Sequence, residues 1–218
     1  MFLNIVGCIL IFILSILLAW PLAGYMNKVY KGTKSLLDFL GPLEKFIFKI
    51  CRIDPLKEMD WKVYLVALII INGVWLVYGF VILLFQGSLF LNPAHNPSMG
   101  WQLALNSAVS FVTSTNLQHY SGETGATYLS QLAVFMFLQF VSAATSLSAG
   151  VAIVRGLASN SALTIGNFYS DFVKSCTRIL LPLSTIAGII FIFNGMPMTF
   201  KGPDKMGLIV VVFVYRAL

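Results

Sequence analysis

Four apolar runs constrain this chain more than anything else in it. They are about Phe2–Trp20, Val63–Phe85, Thr127–Val154 and Phe172–Phe193, and each is near the roughly 20 residues that a helix needs to cross a bilayer. A fifth run, Met206–Tyr215, is too short to span as a helix. A soluble fold has no place for four such runs, because it could not cover them with polar groups. The composition agrees. Hydrophobic residues make up 58% of the chain and charged residues 10%, where soluble domains carry about 25% charged. The expected fold class is therefore an all-α integral membrane protein. The first run does not read as a cleaved signal, because its first basic residue, Lys28, follows the apolar stretch instead of preceding it.

Charge sets the expected orientation. The segment 26–62 holds Lys28, Lys31, Lys34, Lys45, Lys49, Arg52, Lys57 and Lys62, and Arg155, Lys174 and Arg178 follow the third run. The segment Gln86–Ala126 holds no Lys or Arg. Basic loops stay in the cytoplasm, so the N-terminus and the segment 86–126 are expected outside. The net charge of +6 follows from this loop bias. It does not point to nucleic acid, because Asp38, Glu44, Asp54, Glu58 and Asp60 are mixed among the basic residues. Within this loop Leu43, Phe46, Ile47 and Ile50 recur at helical spacing. They predict an amphipathic helix that lies on the membrane surface or against a partner.

The outer segment, at about 40 residues, is long for a structureless loop. "NPAHNPSMG" (Asn92–Gly100) is rich in turn formers. "WQLALNSAVSFV" (Trp101–Val112) then predicts a helix of about 18 Å, near half a bilayer, with Ser98 placed to cap its start. After it comes "TSTNLQ", Thr113–Gln118, which offers hydroxyls, amides and backbone carbonyls and no carboxylate. Such groups suit a monovalent cation, since rings of neutral carbonyls replace an ion's hydration shell and carboxylates favour divalent ions. Irregular backbone at membrane depth must be buried in protein or line a wet cavity. Two readings stay open on the residues alone: a re-entrant pore helix with a filter, or an outer loop carrying an amphipathic helix. His119 and Glu123 lie just beyond, either widening the attraction for cations or simply solvated.

The third run carries Ser142, Ser146 and Gly150 at four-residue intervals, a stripe that allows close helix packing. Span, half-helix, polar stretch and span together form a membrane–pore–membrane unit. Cys8, Cys51 and Cys176 have no metal-ligand spacing and read as reduced and inert. His95, His119 and Glu123 do not make a converging catalytic set.

"ALNSAVSFVTSTNLQHYSGET" (Ala104–Thr124) resembles the first pore loop of the potassium-transporting A subunit of bacterial Kdp-type ATPases. "WPLAGYM", "KEMDWKVYL" and "NPSMGWQLALN" are similar to that family too, and the resemblance covers about residues 1–204. It implies a leading helix followed by membrane–pore–membrane repeats, four in the family and one here. It implies that Thr113, Ser114, Thr115, Asn116 and Gln118 form one quarter of a potassium selectivity filter, with potassium as transported ion and no cofactor. It implies membrane lipid and three protein partners: an ATP-hydrolysing B subunit, an assisting C subunit and a small single-span subunit. It implies a bacterial cell-membrane location and no catalysis by the potassium-binding chain itself. The sequence agrees in showing no Gly-rich phosphate loop and no Asp-Lys-Thr phosphorylation motif.

The expected organisation is a membrane domain over 1–204. It comprises a leading helix 2–20, a cytoplasmic amphipathic loop 26–62, a pore repeat 63–154 and a further span 172–193. Residues 205–218 depart from the family pattern and are expected to be a truncated or frameshifted end, with a real variant as the alternative. A non-transporting membrane fragment that docks on the pump, and a potassium channel or symporter component without an ATPase partner, are the competing functional readings.

Overall fold

The computed structural model describes residues 2–34, 37–159, 163–196 and Phe200, so the expected tail at 205–218 lies outside the described residues. Among them every regular element is helical. In chain order these are α1 (Phe2–Lys31), α2 (Gly41–Ile50), α3 (Trp61–Phe85), α4 (Trp101–Val112), the single turn α5 (Gly122–Gly125), α6 (Phe137–Ala158), α7 (Phe168–Lys174) and α8 (Leu181–Phe193). A π-helical stretch, Ser130–Met136, leads into α6, and another, Ser175–Leu180, joins α7 to α8. Four stretches are long and apolar enough to cross a membrane: Ile5–Lys31, Trp61–Ser88, Ser130–Ala158 and Phe168–Phe193. The chain is an all-α, multi-pass membrane protein.

Three helix ends differ from the hydropathy reading, each for a local reason. The first helix does not stop at Pro21, which lies inside α1. Proline takes one bond from the ladder and crowds the carbonyl four residues back, and membrane helices tolerate both. The stop is Gly32 at φ 69°, where Gly32 N donates to Val29 O at 3.2 Å and Thr33 N to Lys28 O at 3.1 Å. That is a Schellman ending, which needs a left-handed residue. The last span begins at Phe168 rather than Phe172, because the Asn167 side chain caps the amide of Ser170 at 3.0 Å. Hydropathy hides this start behind the polar Ser170 and Asp171. The third span starts near Ser130 and runs to Ala158.

The chain divides into two compact units. The first comprises residues 1–69 and 144–190, and buried ion pairs organise it. Arg155 donates to both carboxylate oxygens of Asp171, with its Nη2 3.0 Å from Oδ1. The side chain of Asp171 is 3% exposed. The Tyr64 hydroxyl donates to Ser148 O at 2.8 Å and lies 3.2 Å from Asp171 Oδ2. In the same unit Arg178 holds Glu44, with its Nε and Nη2 at 2.6 and 2.7 Å from the two carboxylate oxygens, and reaches Asp38 at 2.8 Å. Thr177 also donates to Glu44, at 2.8 Å.

These pairs seat α2 within the unit. The helix exists, but Glu44 and Phe48 are its buried residues. Leu43, Phe46 and Ile50, on the apolar face read from the sequence, are exposed. Burying Glu44 is tolerated because Arg178 and Thr177 satisfy it. The small-residue stripe divides. Ser142 is buried while Ser146 and Gly150 are exposed, and the buried residues of α6 are Leu138, Val141, Ser142, Ala144, Thr145, Ser148 and Ala152.

Over the described residues the second unit comprises 70–143, 191–196 and Phe200. Its core is aromatic and aliphatic. Trp75 meets Phe137 edge-on at 5.1 Å, and Phe111 meets Phe135 at 4.6 Å.

Arg155→Leu would leave Asp171 buried and unpaired, and such losses cost about 3–5 kcal/mol. The double variant Arg155→Leu/Asp171→Leu is expected to lose less than Arg155→Leu alone. A thermal-unfolding double-mutant cycle in detergent measures both, and additive losses would reject the pair as a unit. Gly166 sits at φ 104° with the Arg155 guanidinium against the place where a Cβ would stand. Gly166→Ala is therefore expected to lower the unfolding midpoint as well, and an unchanged midpoint would count against this packing.

Candidate ion-binding site

The half-length helix α4 is present with the expected bounds, Trp101–Val112. Its buried residues are Ala104, Ser107, Ala108, Ser110 and Phe111. Small side chains on that face let neighbouring helices approach closely. A Cβ built on Gly79 of α3 would stand 3.7 Å from the Ala108 Cβ and 2.9 Å from a Leu138 methyl. So α3, α4 and α6 meet at a glycine. α4 is therefore packed into the unit, against α3 and α6. Its start is not capped by Ser98. Gly100 takes the cap position, and Ser98 Oγ instead accepts from Gly87 N at 3.2 Å.

The polar stretch follows without a gap. Ser110, near the end of the helix, organises it. Ser110 O accepts from Thr115 N at 2.9 Å and from Asn116 N at 3.1 Å. Ser110 Oγ accepts from Leu117 N at 2.7 Å and donates to Leu117 O at 3.1 Å. Thr113 N donates to Val109 O and Ser114 N to Phe111 O. The amides of 113–117 are thus all turned back onto the end of α4. The Thr113 hydroxyl donates to Val109 O at 2.9 Å. That leaves Thr115 as the donor in the 2.9 Å pair between the two threonine hydroxyls.

Turning five consecutive amides one way requires left-handed residues, and Ser114 (φ 58°) and Asn116 (φ 55°) supply them. Asn tolerates this region, whereas Ser enters it at some cost in strain. The consequence lies on the other side of the chain. Among the described residues nothing donates a hydrogen bond to the carbonyls of Thr113, Ser114, Thr115 or Asn116. Thr113 through His119 are exposed. Free carbonyls therefore gather at the negative end of the α4 dipole. Chemically this is a surface for a cation that binds neutral oxygen.

The five expected site residues divide here. Thr113, Ser114, Thr115 and Asn116 share this arrangement. Gln118 lies beyond it, and its amide donates to the Tyr120 hydroxyl at 3.4 Å. Burial pushes the Tyr120 phenol up to about 12, with the Gln118 hydrogen bond pulling the other way. Tyr120 therefore stays neutral in any physiological buffer. It stacks on Phe135 at 5.1 Å. His119 and Glu123 are exposed, and Glu123 borders a cavity of about 280 Å³ lined also by Asn92, Asn96, Tyr128 and Gln131. Among the described residues no three His, Cys, Asp or Glu side chains cluster as metal ligands.

Sequence reasoning missed Ser110. It sits in a run that reads as apolar helix. The available sign was a hydroxyl beside Phe111 on the face that carries Ala104, Ser107 and Ala108. Ser110→Ala removes the hydroxyl that both donates to and accepts from Leu117, and such a hydrogen bond contributes about 0.5–1.5 kcal/mol net. Amide exchange at Leu117 is expected to quicken about tenfold or more. Unchanged exchange there would show that Ser110 does not hold the segment.

Comparison with known proteins places this geometry in context. The family described as potassium-transporting ATPase A subunit matches residues 9–211. The chain is 55% identical over 204 residues to the potassium-transporting ATPase potassium-binding subunit of Flavobacterium johnsoniae, covering 93% of this chain and 35% of that one. It is 48% identical over 203 residues to the protein of the same name from Bacteroides thetaiotaomicron, covering 93% and 36%. The counterpart from Alicyclobacillus acidocaldarius is 41% identical over 201 residues, covering 92% and 36%. The chain thus spans about a third of the length of these relatives.

Proposed function

Because the chain belongs to the family of potassium-transporting ATPase A subunits, we propose that Thr113–Gln118 supplies one arc of a potassium site in an ATP-driven uptake complex. One observation carries this reading: the amides of 113–117 are tied back to α4 while the carbonyls of 113–116 stay free. A potassium ion sheds water only where oxygens replace it, and backbone carbonyls do so without fixed charge. Thr113, Ser114, Thr115 and Asn116 offer those oxygens. Gln118 follows them as the outer member of the set, its amide NH₂ held by Tyr120 and its carbonyl oxygen left for the ion path. With no carboxylate among these residues, binding stays weak enough for release.

The partners in this reading are an ATP-hydrolysing B subunit, an assisting C subunit, a small single-span subunit and membrane lipid. This chain performs no phosphoryl chemistry itself and takes no cofactor. It works in the bacterial cell membrane with its N-terminus outside. The charge distribution supports that orientation. Segment 26–62 holds eight basic residues and Arg155, Lys174 and Arg178 follow, whereas Gln86–Ala126, which carries the arc, holds no Lys or Arg.

The test joins residues 1–204 to the remainder of the Flavobacterium johnsoniae relative, co-expressed with that organism's partner subunits in cells lacking potassium uptake. Growth at micromolar potassium is expected. Gln118→Arg, which fixes a cation at the arc, is expected to abolish it. No growth from a chimera expressed at the level of the intact relative would overturn the proposal, and growth of the Gln118→Arg chimera would remove Gln118 from the ion path.

A further inference from the structure

The carbonyl arc is only as well placed as the two chain segments that carry α4 into and out of the unit. Both converge on one side chain that the reading above does not use. Gln86 follows α3 directly and is 0% exposed. Its Nε2 donates to Pro97 O at 2.8 Å and to Gly125 O at 2.9 Å. Its Oε1 accepts from Ser130 Oγ at 2.8 Å and from Thr127 N at 3.4 Å. A glutamine has two donor hydrogens and two acceptor lone pairs on its amide, and here all four are used. Pro97 precedes α4, while Gly125, Thr127 and Ser130 follow the polar stretch and open the next span.

We propose that Gln86 is a positioning residue for the potassium site, the clamp that holds the entering and leaving shoulders of the pore segment at a fixed separation. The proposal rests on the potassium reading above. Neighbouring amides extend the clamp. Asn96 Nδ2 donates to Ala126 O at 3.0 Å, and Asn92 Oδ1 accepts from Asn96 N at 2.8 Å. Tyr128 N donates to Leu91 O at 3.1 Å. The entering segment also cannot slide. A Cβ on Gly87 would stand 2.7 Å from Ser98 N, so the chains touch backbone to backbone.

The chemistry explains why the residue is an amide. A carboxylate has no hydrogen to give, so Gln86→Glu would set two carbonyls against negative charge. Leucine matches the bulk and satisfies none of the four partners. Asparagine is one methylene too short to reach both shoulders. No charged group serves here, because a fixed charge beside an ion path would change the affinity it is meant to set.

The experiment has two arms. In the first, amide exchange is followed by mass spectrometry on this chain in lipid nanodiscs, for the wild type and Gln86→Leu. The amides of 98–100 and 125–130, Thr127 among them, are expected to lose protection in Gln86→Leu, while amides near Asp171 keep theirs. Retained protection at both shoulders would overturn the clamp. The second arm measures potassium and sodium uptake by the chimera carrying Gln86→Leu. The half-saturating potassium concentration is expected to rise about tenfold, the change that 1.4 kcal/mol of lost fit produces, with weaker discrimination against sodium. Gly166→Ala in the first unit serves as the comparison. Destabilisation there lowers the maximal rate through loss of folded protein and leaves half-saturation unchanged. A Gln86→Leu chimera that only loses maximal rate would make Gln86 a structural residue and overturn its positioning role. If the unmutated chimera moves no potassium, the functional reading falls, and the exchange arm still decides whether the clamp exists.

Discussion

The second unit depends on Ser110. Its carbonyl and hydroxyl together take the amides of Thr115, Asn116 and Leu117. A backbone segment in a membrane protein must satisfy its polar groups internally or through water and ligand. Ser110 resolves the donor half of that demand within the segment. The acceptor half is left outward, in the carbonyls of 113–116. A loop whose amides faced outward would present the opposite polarity and suit an anion. One serine near the end of a half-length helix thus decides which backbone polarity the segment leaves unpaired.

The two units solve burial of polar groups by different chemistry. The first uses full charges, Arg155 with Asp171 and Arg178 with Glu44 and Asp38. The second uses neutral amides and hydroxyls, Gln86, Asn92, Asn96, Thr127 and Ser130. Charge pairs are strong where fixed geometry matters, but each carries a field reaching about 8–10 Å at ordinary salt. Beside a cation-binding arc made of dipoles, such fields would dominate the site. Amide networks fix the backbone with no net charge. The separation of charged and neutral networks therefore follows from what the second unit is proposed to bind.

Much of this is legible in sequence. The four spans follow from hydrophobic length, and α4 can be read to the residue because a 12-residue apolar run lies between "NPSMG" and a polar stretch. The oxygen-rich character of 113–116 is visible in the residue types. What escapes depends on contacts between distant residues. Arg178 reads as an isolated charge until Glu44, far back in the chain, is brought to it. The buried side of α2 escapes for the same reason, since hydrophobic spacing marks Leu43 and Phe46 and says nothing of the ion pair that buries Glu44. Gln86 carries no periodic signal at all, because its worth lies in four partners spread over residues 97–130. The stop of α1 is missed more locally, because Pro21 is a more conspicuous breaker than Gly32.

The exposure of Thr113–His119 fits the proposed role. A dehydrated cation needs oxygens around it, and a ring of carbonyls provides them only when it closes. One arc meets the ion from one side. It can draw a hydrated cation through the dipole of α4, but water on the open side remains a better partner than vacuum, so the ion keeps much of its shell. Selective binding then requires further oxygens facing Thr113–Asn116 across the ion, at a separation the arc cannot set for itself. The precision of the site therefore rests on how firmly each arc is held by its own unit. The tethers at Ser110 and Gln86 are internal to this unit, so its arc can be shaped before any opposing oxygens meet it.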